Sequence, residues 1–296
     1  RKAMKKNLRF HWILGAALLG ISLVTGFSAT LSLAGEVFRG DEGAKAYTNL
    51  NFQNSSNNFR FAVIGDRTGG ARPGVFSAAV DTLNLLQPEF VINVGDLIEG
   101  YVKDEAVLKS QWKKLDDELE PLDMPFFFVM GNHDVNFDPS EKVWFERVGA
   151  DRGYSHFVYK DVLFLMLSTE DPPKNEVPKE MEENYKRIKA GQVPPAEAKA
   201  MIQELEHWAG QVNISDAQVK YFKDVLKANP KVRWTFAFMH SPPWAQPDPA
   251  NFTKIEAMLE DRSYTMFAGH THTYDYTLRN GRDYITMATT RGGFYE

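Results

Sequence analysis

Six short apolar runs recur along this chain, and five of them stop at residues able to hold a metal ion; no other feature narrows the possible folds so far. The runs span 59–64, 90–94, 126–130, 162–167, 234–239 and 264–268, and each is strand-length and rich in aromatic and β-branched residues. Ile64 is followed by Gly65-Asp66, Val94 by Gly95-Asp96, and Met130 by Gly131-Asn132-His133-Asp134. Met239 is followed by His240, and Ala268 by Gly269-His270-Thr271-His272. Helical patterns separate several runs. In 75–86, Val75, Ala79, Leu83 and Leu86 fall on one stripe; in 215–227, Ser215 is placed to cap the helix and Gln218 to reach back as in a capping box. Strands alternating with helices predict an α/β domain with strands covered on both faces. Asn280-Gly281, between runs at 274–278 and 283–287, predicts a hairpin. In open α/β sheets ligands collect at the carboxyl ends of strands, so one architecture brings all five polar termini together.

The amino-terminal region reads differently. Arg1, Lys2, Lys5, Lys6 and Arg9 precede a long apolar stretch, and no further charge occurs before Glu36. A basic segment, an apolar segment and Ser32-Leu33-Ala34 form the pattern of a signal peptide over 1–34, with export as the expectation. An uncleaved anchor attaching the chain to a membrane is the alternative, because 12–34 is long enough to span a bilayer. Residues 35–58, rich in Gly, Asn and Ser, read as a linker or surface arm, and the domain proper runs from 59 to 296. Inside it, 170–212 is a charged insertion broken by prolines. It is either a solvated surface element or a flap over the substrate site.

Loss of 1–34 takes five positive charges from a chain of net charge −5 and leaves −10. Such an acidic body is poorly suited to a nucleic acid polymer, whereas a small phosphorylated substrate remains compatible if a metal centre supplies positive charge locally. The chain has no cysteine, which excludes disulfides and thiolate-held metals. Alone, a Gly-Asp pair after a strand is a turn signal, and a lone His240 or His156 reads as a hydrogen-bonded structural histidine. The Gly131-to-Asp134 and Gly269-to-His272 strings are harder to account for that way. Asp and Asn oxygens combined with His nitrogen suit Mn, Fe or Zn. Two such divalent ions sharing a carboxylate sit about 3.5–4 Å apart, clamp a phosphoryl group and generate hydroxide near neutral pH.

The ordered set of five motifs resembles the calcineurin-like metallophosphoesterase family over 59–293. The resemblance implies a β-sandwich flanked by helices, with two metals at the carboxyl ends of strands and a bridging hydroxide attacking phosphorus. It further implies that Asp96 bridges both ions, that Asp66 and His272 complete one site, and that Asn132, His240 and His270 complete the other. His133 matches the residue that protonates the leaving group or stabilises the transition state, and Glu99 stands where an acid often orients that histidine. The first motif departs from the family pattern Asp-x-His, reading Asp66-Arg67-Thr68. Arg67 is a candidate for bidentate contact with a phosphate oxygen, or else the ion-pair partner of the neighbouring Asp66. The implied activity is hydrolysis of a phosphomonoester or phosphodiester; the alternative is a metal- or phosphate-binding sensor with little turnover.

Overall fold

The computed structural model describes residues 38–40, 48–50, 52, 58–174, 177–247 and 249–293. The expected leader at 1–34 and most of the 35–58 arm lie outside the described residues. The chain divides into units at 1–39 and 40–296. Of the first, only Phe38 and Arg39 are described, in extended backbone; the second carries the sheets, the flanking helices and all the motifs.

Two sheets build this domain. The smaller is parallel, with β1 (Ala62–Ile64), β2 (Val91–Asn93) and β3 (Phe126–Phe128) side by side. The larger contains β4 (Ser155–Tyr159), β5 (Val162–Met166), β6 (Trp234–Phe238), β7 (Tyr264–Ala268), β8 (Asp275–Arg279) and β9 (Arg282–Thr286), in the order β4-β5-β6-β7-β9-β8. Strands β5, β6, β7 and β9 run parallel, and β4 and β8 pair antiparallel with β5 and β9.

The strands' side-chain alternation explains the layering. Phe127 turns one way and stacks on Phe157 at 4.6 Å, which stacks on Phe164 at 4.6 Å, while Phe90 meets Phe164 edge-on at 5.2 Å. These rings fill the space between the two sheets and make the sandwich. Phe126 and Phe128 turn the other way, into a cluster with Phe76, Trp112 and Trp144. Those three residues come from α1 (Val75–Leu86), α2 (Glu105–Leu119) and α3 (Asp138–Val148). On the far side of the larger sheet, Leu163 and Leu165 pack with Phe222 of α6 (Asp216–Ala228) and with Phe252 and Ile255 of α7 (Ala250–Met258). The α/β sandwich flanked by helices is therefore the observed fold.

Two local expectations are corrected. The buried stripe of α1 is Phe76, Val80 and Leu83, and Leu86 is 61% exposed. The helix is turned by one residue because the larger Phe76 ring takes the core position. Ser215 does cap α6, accepting from the Gln218 amide at 3.1 Å, but the Gln218 side chain does not close a capping box. It is fully buried and binds both the amide and the carbonyl of Ser168 at 3.0 Å, pinning the chain after β5. The hairpin at Asn280-Gly281 forms as expected, both residues taking the positive φ (54° and 68°) of its turn type.

The insertion forms α4 (Lys179–Lys189) and α5 (Pro195–Ala209). Helix α4 buries no side chain, whereas Val177 and Leu205 pack on Phe137 just beyond the third motif. Among the described residues no helix is long and apolar enough to cross a membrane.

Candidate metal centre

Parallel pairing puts the carboxyl ends of β1, β2 and β3 on one edge and those of β6 and β7 on another, and hydrogen bonds join the two edges. His240 Nδ1 bonds the Val94 carbonyl at 2.9 Å, and the His270 amide donates to the Asp66 carboxylate at 3.0 Å. Asp96, His270 and His272 all have positive φ (56°, 70° and 56°). Non-glycine residues held there store about 1–3 kcal/mol each, strain that collects at functional sites. Close approach also demands glycine. A Cβ on Gly131 would lie 2.3 Å from Asp96 Oδ1, and one on Gly95 would lie 2.7 Å from His240 Nδ1.

Four donor atoms converge here. His240 Nε2 lies 3.2 Å from Asp96 Oδ2 and 2.9 Å from Asn132 Oδ1, and His270 Nδ1 lies 3.0 Å from that same Asn132 oxygen. The metal-ligating atoms of Asp96, His240 and His270 all fall within 4.8 Å of one another. The amide of Asn132 is oriented by its Nδ2, which donates to the Tyr101 hydroxyl at 3.0 Å, so its oxygen faces inward. Because the Val94 carbonyl claims a proton on His240 Nδ1, a neutral ring turns the Nε2 lone pair into the cluster. Oxygen and nitrogen lone pairs crowded this closely repel one another without a cation or proton between them, so the donor set fits a divalent ion.

A second donor group lies alongside. His272 Nε2 is 3.3 Å from Asp66 Oδ2, and its Nδ1 is committed to the Gly293 carbonyl, just as His240 is held by Val94. Thr68 stands close by in sequence, wholly buried; its hydroxyl makes no well-formed hydrogen bond, although it lies near enough to the Glu99 carboxylate to help hold that group below its usual range. That loosely held oxygen suits a further ligand, through water or directly. Asp66 and His272 are the donors available for a second ion, with one imidazole against two in the first group.

The electrostatics agree with a place prepared for positive charge. Burial would lower His240, but the Asp96 carboxylate outweighs it and raises the ring to about 10. Burial would raise Asp96, but the His240 and His133 charges hold its carboxyl well below the usual range. Burial and the neighbouring His240 push His270 down to about 3, so it stays a neutral donor. In the metal-free protein a proton on His240 neutralises Asp96, and an entering cation has to displace it.

His133 sits at the edge of the cluster. Its Nδ1 bonds the Glu99 carbonyl at 2.7 Å, its Nε2 faces Asp96 Oδ2 at 4.0 Å, and its amide donates to Asp96 Oδ1 at 3.0 Å. Glu99 therefore orients the ring through its backbone oxygen and not, as expected, through its carboxylate, which accepts from the Ala71 amide at 3.3 Å. Arg67 does not face the cluster. Its guanidinium binds Glu118 at 2.8 Å and the Leu97 carbonyl at 2.5 Å, and lies over the Phe76 ring, so a half-buried ion pair with Glu118 replaces both the phosphate contact and the pairing with Asp66 considered for it. His156, read as structural, is bonded to the Tyr221 hydroxyl at 2.6 Å in β4.

Two residues without a sequence-assigned role are prominent. Tyr101 meets His133 edge-on at 4.8 Å as well as holding Asn132. Asp134 is wholly buried, and its carboxylate accepts from the amides of Asp96, Leu97, Ile98 and Gly131, tying the second motif to the third. Asp134→Ala orphans these four amides at once and is expected to cost more than about 3 kcal/mol. A denaturant melt within about 1 kcal/mol of the parent would contradict that role.

Carboxylate, amide and imidazole donors gathered at the open carboxyl ends of a helix-flanked sandwich define a metal-dependent hydrolase. The chain belongs to the calcineurin-like phosphoesterase family, whose profile matches residues 59–274. Its fold is similar to that of a dimetal phosphatase from Danio rerio, at 17% identity and a TM-score of 0.56, over 79% of this chain and 88% of that one. Weaker likenesses extend to GAP50, the anchor in the inner membrane complex of Plasmodium (16% identity, TM-score 0.47, 80% of this chain and 75% of that one). They extend also to a putative 5′-nucleotidase from Staphylococcus aureus (16% identity, TM-score 0.45, 78% of this chain and 48% of that one). No curated protein matches the chain.

Proposed function

We propose that this phosphoesterase hydrolyses a small phosphomonoester or phosphodiester at a centre of two divalent ions sharing Asp96. Asn132, His240 and His270 complete one site, and Asp66 and His272 the other, with Mn, Fe or Zn as the fitting ions. The convergence of Asp96, Asn132, His240 and His270 carries this reading. When bound, the ions polarise the phosphoryl group and supply hydroxide near neutral pH. The chain's own contribution is positional and acidic. His133, held at Nδ1 by the Glu99 carbonyl, keeps Nε2 toward the cluster, where it can give a proton to the departing oxygen. Asp134 fixes the backbone that aims both Asp96 and His133. Export is part of the same proposal, resting on the basic-then-apolar segment at 1–34. Cell fractionation tests it, and a soluble cytoplasmic pool of full-length chain would count against it.

Thr68 supplies the direct test. With a hydroxyl where the family has an imidazole, the Asp66–His272 site binds its ion more weakly than the Asp96–His240–His270 site. Titrating metal into stripped protein while following binding heat and turnover of monoester and diester model substrates should give two unequal affinities. Activity should appear only as the weaker site fills. Activity complete at one ion per chain, or no turnover at any loading, would contradict the proposal.

A further inference from the structure

A cavity of about 610 Å³ opens between the insertion and the segment 101–107. Its wall includes Val102, Val107, Phe137, Met181, Tyr185 and Leu205, and Tyr101 lines it as well. Tyr101 also touches the metal centre, its hydroxyl accepting from Asn132 and its ring edge-on to His133 at 4.8 Å. Cavity and centre therefore share a wall. Of the cations at its rim, Lys103 and Lys186 share Glu182, at 3.4 and 2.8 Å, and Lys189 lies over the Tyr185 ring at 5.3 Å. What the cavity offers a ligand is apolar surface, at a size ordinary for a small-molecule site.

His133 fixes which part of a substrate would lie there. A group that protonates the departing oxygen must sit on the leaving-group side, and the ring that packs against His133, Tyr101, also lines the cavity. We propose that the cavity receives the alcohol portion of the substrate, and that the substrate class is the phosphoester of an apolar alcohol, not a nucleotide or sugar phosphate. This rests on the phosphoesterase reading given above, with His133 as the acid. The insertion is then the outer wall of a leaving-group site: α4 contributes Met181 and Tyr185, and α5 contributes Leu205.

The test uses metal-loaded, full-length protein and two matched series from methyl to octyl. Alkylphosphonates, which cannot be hydrolysed at the P–C bond, report binding by calorimetry; alkyl phosphates report kcat/KM. Alcohol acidity hardly changes beyond ethyl, so the slope reads burial. Affinity should tighten by up to about fourfold per methylene until the cavity fills. Val107 is 41% exposed, so Val107→Asp spares the core, and it should flatten both series. A flat phosphonate series in the parent, or tighter binding of a nucleoside monophosphate than of the octyl compound, would overturn the assignment. Hydrolysis with flat affinity contradicts the cavity assignment alone. Chain-length-dependent affinity without hydrolysis of any ester contradicts the phosphoesterase reading and leaves the cavity as a site for apolar phosphoesters.

Discussion

Asp96→Asn is expected to abolish turnover and empty both ion sites while leaving the fold intact. In the proposed centre Asp96 is the carboxylate common to both ions, and its Oδ2 lies 3.2 Å from His240 Nε2. Asparagine has the same shape and can still accept the His133 amide, so the loop keeps its geometry. What disappears is the negative charge facing His240 and His270, and a neutral oxygen cannot bridge two dications as a carboxylate does. Loss of that clamp forfeits several kcal/mol of transition-state charge stabilisation. The fall in turnover is therefore on the order of 10³-fold or more. Metal content measured beside the melting curve separates the two effects. Parent-like metal stoichiometry in the variant would remove Asp96 from the centre.

His133→Ala has the opposite pattern, keeping metal while slowing turnover by roughly 10²–10⁴-fold, the usual weight of a general acid. The ring reaches the cluster through Nε2 at 4.0 Å from Asp96, too far to be a donor that the convergence depends on. Its amide bond to Asp96 belongs to the backbone and survives the substitution. Because an acid matters most when the departing oxygen is basic, the defect should shrink with a nitrophenyl leaving group and grow with an alkyl one. Equal losses for both would mean that His133 acts only by its charge.

These two residues were legible because strand ends are legible. A short apolar run that stops at Gly-Asp or at His tells where a side chain emerges from a buried sheet, and parallel order does the rest. Asp66, Asp96, Asn132, His240, His270 and His272 are gathered for that reason. Arg67 was not legible in the same way. Its position beside Asp66 says nothing about where a long, flexible side chain leads, and its direction is set by Glu118, fifty-one residues away on α2. Glu99 shows a related limit: residue type suggested a carboxylate contact, while the turn at Gly100, with φ of 56°, presents the carbonyl instead. Asp134 lay in plain view within its motif, yet an acid that accepts four amides looks, in one dimension, like any other acid. Tyr101 had no signal at all, since its neighbours Asn132 and His133 are some thirty residues distant.

The most direct test of the account is anomalous diffraction from crystals of the protein loaded with Mn²⁺ or Zn²⁺. Two peaks are expected, about 3.5–4 Å apart, with Asp96 between them. One should be ringed by Asn132, His240 and His270, and the other by Asp66 and His272 at lower occupancy. A single peak at full metal loading, or peaks away from Asp96, would contradict the two-ion centre on which the proposed chemistry depends.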